Sequence, residues 1–144
     1  MTPERALEKG AMSVSLEELL GTSRVVSLHL VPTATTRHLL NAERLALMRS
    51  DSLLVNTSRS ALVDSPALVA ALEKGKPGFA ALDVFDAEPL PLNDALRQLP
   101  NVLLTPHLGF VTEPVYQRFA TGVTECLQAW IAGKPLVRLV GEVA

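Results

Sequence analysis

Short apolar runs alternate along the chain with stretches of helical spacing. Arg24-Val-Val-Ser-Leu-His-Leu30, Ser52-Leu-Leu-Val-Asn56, Phe79-Ala-Ala-Leu-Asp83 and Val102-Leu-Leu-Thr105 read as strands. Each is bounded by polar or turn residues and is apolar on consecutive positions, the pattern of a strand covered on both faces. The intervening stretches carry helix punctuation. Ser15 with Glu18 forms a capping box, closed by Gly21. Asn41 caps Ala42–Met48, and Ser65 with Pro66 opens Ala67–Lys74, with Gly75 at its C′ position. The longest helix spans Glu113–Ala132, between Thr112 and Gly133. Its Val115, Phe119, Val123, Leu127, Trp130 and Ile131 make one apolar face for core or interface packing. Alternation of strand and helix predicts a three-layer α/β fold, a mostly parallel sheet with helices on both faces. Such sheets bind ligands at the carboxyl ends of their strands.

Composition narrows the class. With 144 residues, 48% of them hydrophobic and 19% charged, the chain is one globular domain with enough core to fold without staples. Thirteen basic against fifteen acidic residues give a net charge of −2, which removes the electrostatic footprint of a nucleic-acid binder. The single cysteine, Cys126, excludes an internal disulfide framework and reads as a small packed hydrophobe. No apolar run approaches the ~18 residues of a membrane span, and the opening residues lack a signal-peptide core. The expectation is a cytoplasmic protein without membrane or nucleic-acid partners.

The chemistry gathers at the strand ends. After Val55 come Asn56-Thr-Ser-Arg-Ser60, after Leu82 come Asp83-Val-Phe-Asp-Ala-Glu-Pro89, and after Leu104 come Thr105-Pro-His-Leu-Gly109. In a parallel sheet these emerge on one edge, so Arg59, Asp83, Glu88 and His107 can converge. They supply a fixed cation suited to a substrate carboxylate, an imidazole that exchanges protons near neutral pH, and carboxylates that orient it. Taken singly, each also reads as an ordinary loop residue; convergence is what distinguishes them. His29 reads as a strand-core histidine donating to a backbone carbonyl, and His38 as a surface turn residue. Ser58 and Ser60 lack triad partners, no G-x-S-x-G elbow is present, and no spacing suits a metal.

Four segments, in this order, resemble the D-isomer-specific 2-hydroxyacid dehydrogenases. They are Val26-Ser-Leu-His-Leu-Val-Pro-Thr33 with Thr36, Leu54-Val-Asn-Thr-Ser-Arg59, Ala81-Leu-Asp-Val-Phe-Asp-Ala-Glu-Pro89 and Asn101-Val-Leu-Leu-Thr-Pro-His-Leu-Gly109. The resemblance runs from about Thr2 to Val140. It implies a Rossmann-like domain for NAD, with NADP left open, and a small 2-hydroxy or 2-oxo acid substrate. By position, Arg59 matches the arginine that grips the 2-oxo acid, His107 the acid/base, Glu88 the carboxylate paired with it, and Asp83 the acceptor for the nicotinamide carboxamide. Leu30, Val31 and Pro32 match the strand-end segment beside the adenosine, and Thr36 is a further cofactor-binding position. Thr57, Ser58 and Gly109, together with Arg59 and His107, match neighbours of the nicotinamide end. The family usually has glycine after the arginine where this chain has Ser60; if that site needs φ > 0, serine adds strain.

The eight glycines, at 10, 21, 75, 78, 109, 122, 133 and 141, cannot form a G-x-G-x-x-G cradle for a pyrophosphate. In the family that loop and the substrate domain precede the matched region. The chain is therefore expected to be one partial NAD-binding domain over residues 1–144, the C-terminal portion of a dehydrogenase and inactive alone. The competing expectation is a non-catalytic module that self-associates or complements a partner chain. A sheet without its first strands leaves Arg24–Leu30 unpaired on one side, which favours a homo-oligomer.

Overall fold

The structure is a computed structural model and describes residues 3–136. Its elements run α1 (Pro3–Leu7), α2 (Leu16–Thr22), β1 (Val25–Leu28), α3 (Ala42–Leu47), β2 (Leu53–Asn56), α4 (Ser65–Glu73), β3 (Phe79–Leu82), β4 (Val102–Leu104) and α5 (Glu113–Ile131). Short 3-10 turns, Ser60–Leu62 and Ala95–Gln98, follow β2 and precede β4. Two compact units, Met1–His107 and Leu108–Ala144, meet at the His107–Leu108 bond.

In the first unit the four strands pair in parallel in the order β1-β2-β3-β4. The register aligns Leu28 with Asn56, Asn56 with Leu82, and Leu82 with Leu104. All four chain ends therefore leave the sheet on one edge, as the alternation of runs implied. The helices start where their caps dictate. The Ser15 hydroxyl accepts from the Glu18 N–H at 3.1 Å, and the Asn41 side chain accepts from the Arg44 N–H at 3.0 Å. Gly21 lies within α2, which closes at Ser23 instead. The cap of α4 is Asp64, accepting from the Ala67 N–H at 3.1 Å. Ser65 occupies the first helical turn and donates its hydroxyl to Asp86 Oδ2 at 2.5 Å. Gly75 and Gly133 take positive φ just past their helices, which glycine does without a Cβ clash.

Burial alternates along the strands. Val26, Leu28, Leu54, Ala80 and Leu82 are buried in one cluster with Leu20, Leu45, Leu68 and Leu72 of α2, α3 and α4. On the other face Val25, Phe79 and Leu103 are 58%, 57% and 65% exposed. Of the two helical layers expected, α2, α3 and α4 build one. Strands laid down in sequential order, joined by right-handed crossovers, deliver every connecting helix to the same side of the sheet. The packing around β3 and β4 is close. A Cβ at Gly78 would strike the Ser50 carbonyl, and the Asn101 amide donates to the Leu72 and Gly78 carbonyls at 3.1 and 2.9 Å.

In the second unit, α5 carries its apolar residues at helical spacing, yet Phe119, Val123, Leu127, Trp130 and Ile131 are each more than half exposed. Of core and interface packing, core packing does not describe them. Among the described residues no helix is long and apolar enough to cross a membrane.

One-sided burial predicts an asymmetric response to truncation. Leu54→Ala should cost roughly 2–5 kcal/mol, as fully buried leucines do, and Leu103→Ala less than about 1 kcal/mol. Urea unfolding midpoints of the two variants measure this directly, and equal losses would contradict it.

Candidate active site at the carboxyl edge of the sheet

The last rungs of the ladder fix the site. The Asp83 N–H donates to the Asn56 carbonyl and the Thr105 N–H to the Leu82 carbonyl, both at 3.0 Å. The segments beyond Asn56, Leu82 and Leu104 thus begin at one level.

After β2, Asn56 is buried and folds its side chain over the following turn. Its Oδ1 accepts from the Ser58 N–H at 3.1 Å, and its Nδ2 donates to the Arg59 carbonyl at 2.9 Å. Ser58 ties this turn to the end of β1, donating its hydroxyl to the Leu30 carbonyl at 2.6 Å. Arg59 is extended (φ −147°, ψ 142°) and donates one Nη1 hydrogen to the Ser58 carbonyl at 2.7 Å. Ser60 opens a 3-10 turn, and the non-glycine residues with positive φ are His38 and His107 among those described. Serine is therefore unstrained here.

After β3, Asp83 is 4% exposed and accepts the Thr105 hydroxyl at 2.5 Å. The chain then turns so that Glu88 Oε1 receives the Phe85 N–H at 2.9 Å. After β4, Pro106 leads into His107, which has φ 57° and whose N–H donates to the Thr105 carbonyl at 3.0 Å. The left-handed region costs a non-glycine residue roughly 1–2 kcal/mol, so this backbone is held by its surroundings. His107 Nδ1 lies 2.8 Å from Glu88 Oε2.

The hydrogen bond from His107, then that from the Phe85 N–H, hold the Glu88 carboxyl below its ordinary pKa, and the nearby Arg59 charge adds to this. An ionised carboxylate only accepts, so Nδ1 carries the proton in this bond. A cleft of about 470 Å³ opens beside the pair, lined by Phe85, Glu88, Leu90, Arg97, Pro106 and His107 among others. A second cavity of about 520 Å³, between the start of α4 and the segment after β3, is lined by no histidine or arginine.

The remaining candidates of the first unit lie beyond the ends of β1 and β2. Leu30 and Val31 are exposed beyond β1, with Pro32 half-buried. The Thr36 hydroxyl donates to the Val31 carbonyl at 2.9 Å, closing the turn after them. Thr57 is exposed between Asn56 and Ser58, and Gly109 is exposed in the second unit. His29 is not a strand-core residue. The strand stops at Leu28, and the exposed His29 ring bonds the Ser27 hydroxyl at 2.8 Å through Nε2. Asn56 and Thr105 escaped the sequence reading. An asparagine at a strand end before a polar run is the signal that points to the first. No group of three metal-ligating side chains gathers among the described residues.

A parallel α/β sheet with these groups beyond its carboxyl edge defines a Rossmann-type nucleotide-binding domain. The chain belongs to the D-isomer specific 2-hydroxyacid dehydrogenases, whose NAD binding domain pattern matches residues 1–109. It is 45% identical over 141 residues to a glyoxylate reductase of Aeropyrum pernix, covering 96% of this chain and 42% of that protein. A D-lactate dehydrogenase from Sporolactobacillus superposes with a TM-score of 0.83 at 35% identity, over 96% of this chain and 46% of that one. A D-isomer specific 2-hydroxyacid dehydrogenase from Xanthobacter autotrophicus, in complex with NADPH and MES, gives 0.68 at 39% identity, over 87% and 51%. The chain thus spans about two fifths of the length of the glyoxylate reductases it matches and about a quarter of that of the D-3-phosphoglycerate dehydrogenases.

The lowered Glu88 pKa sets the sign of a pH effect. A carboxyl whose pKa is lower folded than unfolded contributes fully above the ordinary glutamate range. It loses that contribution as pH falls through the folded value. Glu88→Gln should be less stable than the parent chain at neutral pH, with the gap closing as pH falls below the ordinary glutamate range. Urea midpoints across that range would show the convergence; a gap that widened on acidification would contradict it.

Proposed function

We propose that the chain forms the later part of the NAD-binding domain of an enzyme interconverting a small 2-oxo acid and its D-2-hydroxy acid. Residues 1–144 are read as one partial domain. The observation that carries the proposal is the His107–Glu88 pair, at 2.8 Å, on the same sheet edge as Arg59. Glu88 orients the His107 ring, whose Nε2 then passes a proton to a carbonyl oxygen or takes one from a hydroxyl. Arg59, with one Nη1 hydrogen on a backbone carbonyl, keeps guanidinium donors for a substrate carboxylate. Asp83, buried and oriented by Thr105, suits an amide N–H such as that of nicotinamide. The nicotinamide cofactor, when bound, supplies or accepts the hydride. We assign NAD, with NADP as the alternative, and Leu30, Val31, Pro32, Thr36, Thr57, Ser58 and Gly109 as its further neighbours.

The 144 residues contain no G-x-G-x-x-G, so a second polypeptide portion has to hold the pyrophosphate and close the site. With a single cysteine, we place the protein in a reducing, cytoplasmic compartment. Positioning of two reactants accounts for ~7–11 kcal/mol of barrier lowering in well-oriented systems, so the chain alone should reduce glyoxylate or hydroxypyruvate with NADH at background rate. Fusion to the N-terminal part of a glyoxylate reductase relative should give turnover, and His107→Ala should lower it by ~10²–10⁴. Turnover indifferent to that substitution would remove the proposed acid/base.

The exposed Val25, Phe79 and Leu103, with β1 at the sheet edge, favour a second reading, assembly with another copy or a complementary chain. Covering that face removes apolar area worth roughly 25 cal/mol per Å². Sedimentation at micromolar concentration should show a dimer or larger species, and a monomer alone would count against assembly with itself.

A further inference from the structure

We infer that Arg97 is a positioning residue for the His107–Glu88 pair, an inference that rests on reading that pair as the acid–base couple. Glu88 stands in a segment, residues 83–94, that belongs to no helix or strand. Pro89 and Pro91 have no N–H, so the main chain around Glu88 is short of donors and offers mostly carbonyls. Arg97 answers two consecutive ones. Its Nε donates to the Pro91 carbonyl at 2.9 Å and its Nη2 to the Leu90 carbonyl at 2.8 Å. A planar guanidinium presents these donors in a fixed fork, which a lysine cannot reproduce.

The base of that fork is itself held. Arg97 sits in the 3-10 turn Ala95–Gln98, capped by Asp94 Oδ1 accepting from the Leu96 N–H at 2.9 Å, and Leu96 is buried. Apolar anchoring stops at Leu90, which packs against the core; Leu92 is 86% exposed, so beyond Leu90 the segment is fixed by polar bonds. Arg97 lines the cleft that Glu88 and His107 also line, and its bonds are made to the backbone two and three residues beyond Glu88. Without Arg97 the Leu90 carbonyl loses this donor and the Pro91 carbonyl keeps the Asp94 N–H at 3.2 Å; the loosened segment then misaligns both bonds of the Glu88 carboxylate, to Phe85 and to His107.

Nitrogen-15 NMR of the histidines in the full 144-residue chain tests this without turnover. In the parent chain the neutral His107 ring should be the Nδ1–H tautomer. Arg97→Ala should shift it towards the Nε2–H form and speed exchange of the Phe85 amide about tenfold, with the Leu54 and Ala80 amides unchanged. Arg97→Lys, which keeps the charge and loses the fork, should fall between. A parent chain lacking the Nδ1–H tautomer would overturn the acid–base reading together with this one. A parent chain that has it, with Arg97→Ala keeping both tautomer and Phe85 protection, would overturn the role of Arg97 alone. Should Arg97→Ala fail to fold, parent-like values in a folded Arg97→Lys would overturn it, and intermediate ones would support it.

Discussion

Everything at the site depends on the register of the parallel ladder. Because Leu28, Asn56, Leu82 and Leu104 are neighbours across the sheet, the residues that follow them leave at one height. A slip of one residue would turn every alternate side chain to the other face and separate the Asp83 carboxylate from the Thr105 hydroxyl. The buried face enforces that register: Val26, Leu54 and Ala80 must enter the core together. Packing on one face thus determines chemistry at one edge.

Beyond the ladder the site is built almost wholly from short-range devices. Asn56 folds back on its own turn, Glu88 caps the Phe85 N–H, and His107 is turned by its bond to Thr105. These leave Asn56, Glu88 and His107 little freedom. The Glu88 carboxylate illustrates the economy of the arrangement. One oxygen closes its own loop and the other orients the imidazole, so one ionised group ties the loop to the ring.

The strands were legible to within about two residues at their ends because each apolar run is short and clearly bounded. Ser15 and Asn41 announced their helices, whereas at Asp64-Ser65-Pro66 two neighbouring oxygens compete for the cap. Only the position of the Asp86 carboxylate, far along the chain, decides that Ser65 donates to it instead. The one-sided burial was not legible, since consecutive apolar residues look the same whether one face is covered or two. Arg59, Glu88 and His107 stood out through their place at strand ends and through the family's motifs. Arg97 did not, because an arginine bonded to backbone carbonyls has no partner residue type that the sequence could display.

The half-covered sheet bears on the thermodynamics of unfolding. Residues such as Val25, Phe79 and Leu103 already meet water in the native chain, so denaturation exposes less new apolar surface than in a fully layered sheet. The heat-capacity increment should then fall below the usual ~12–15 cal/mol/K per residue, and the denaturant slope should be shallow for a chain of this length. Covering that face would restore both, so calorimetry on the free and covered forms would weigh the missing layer in units of hydration.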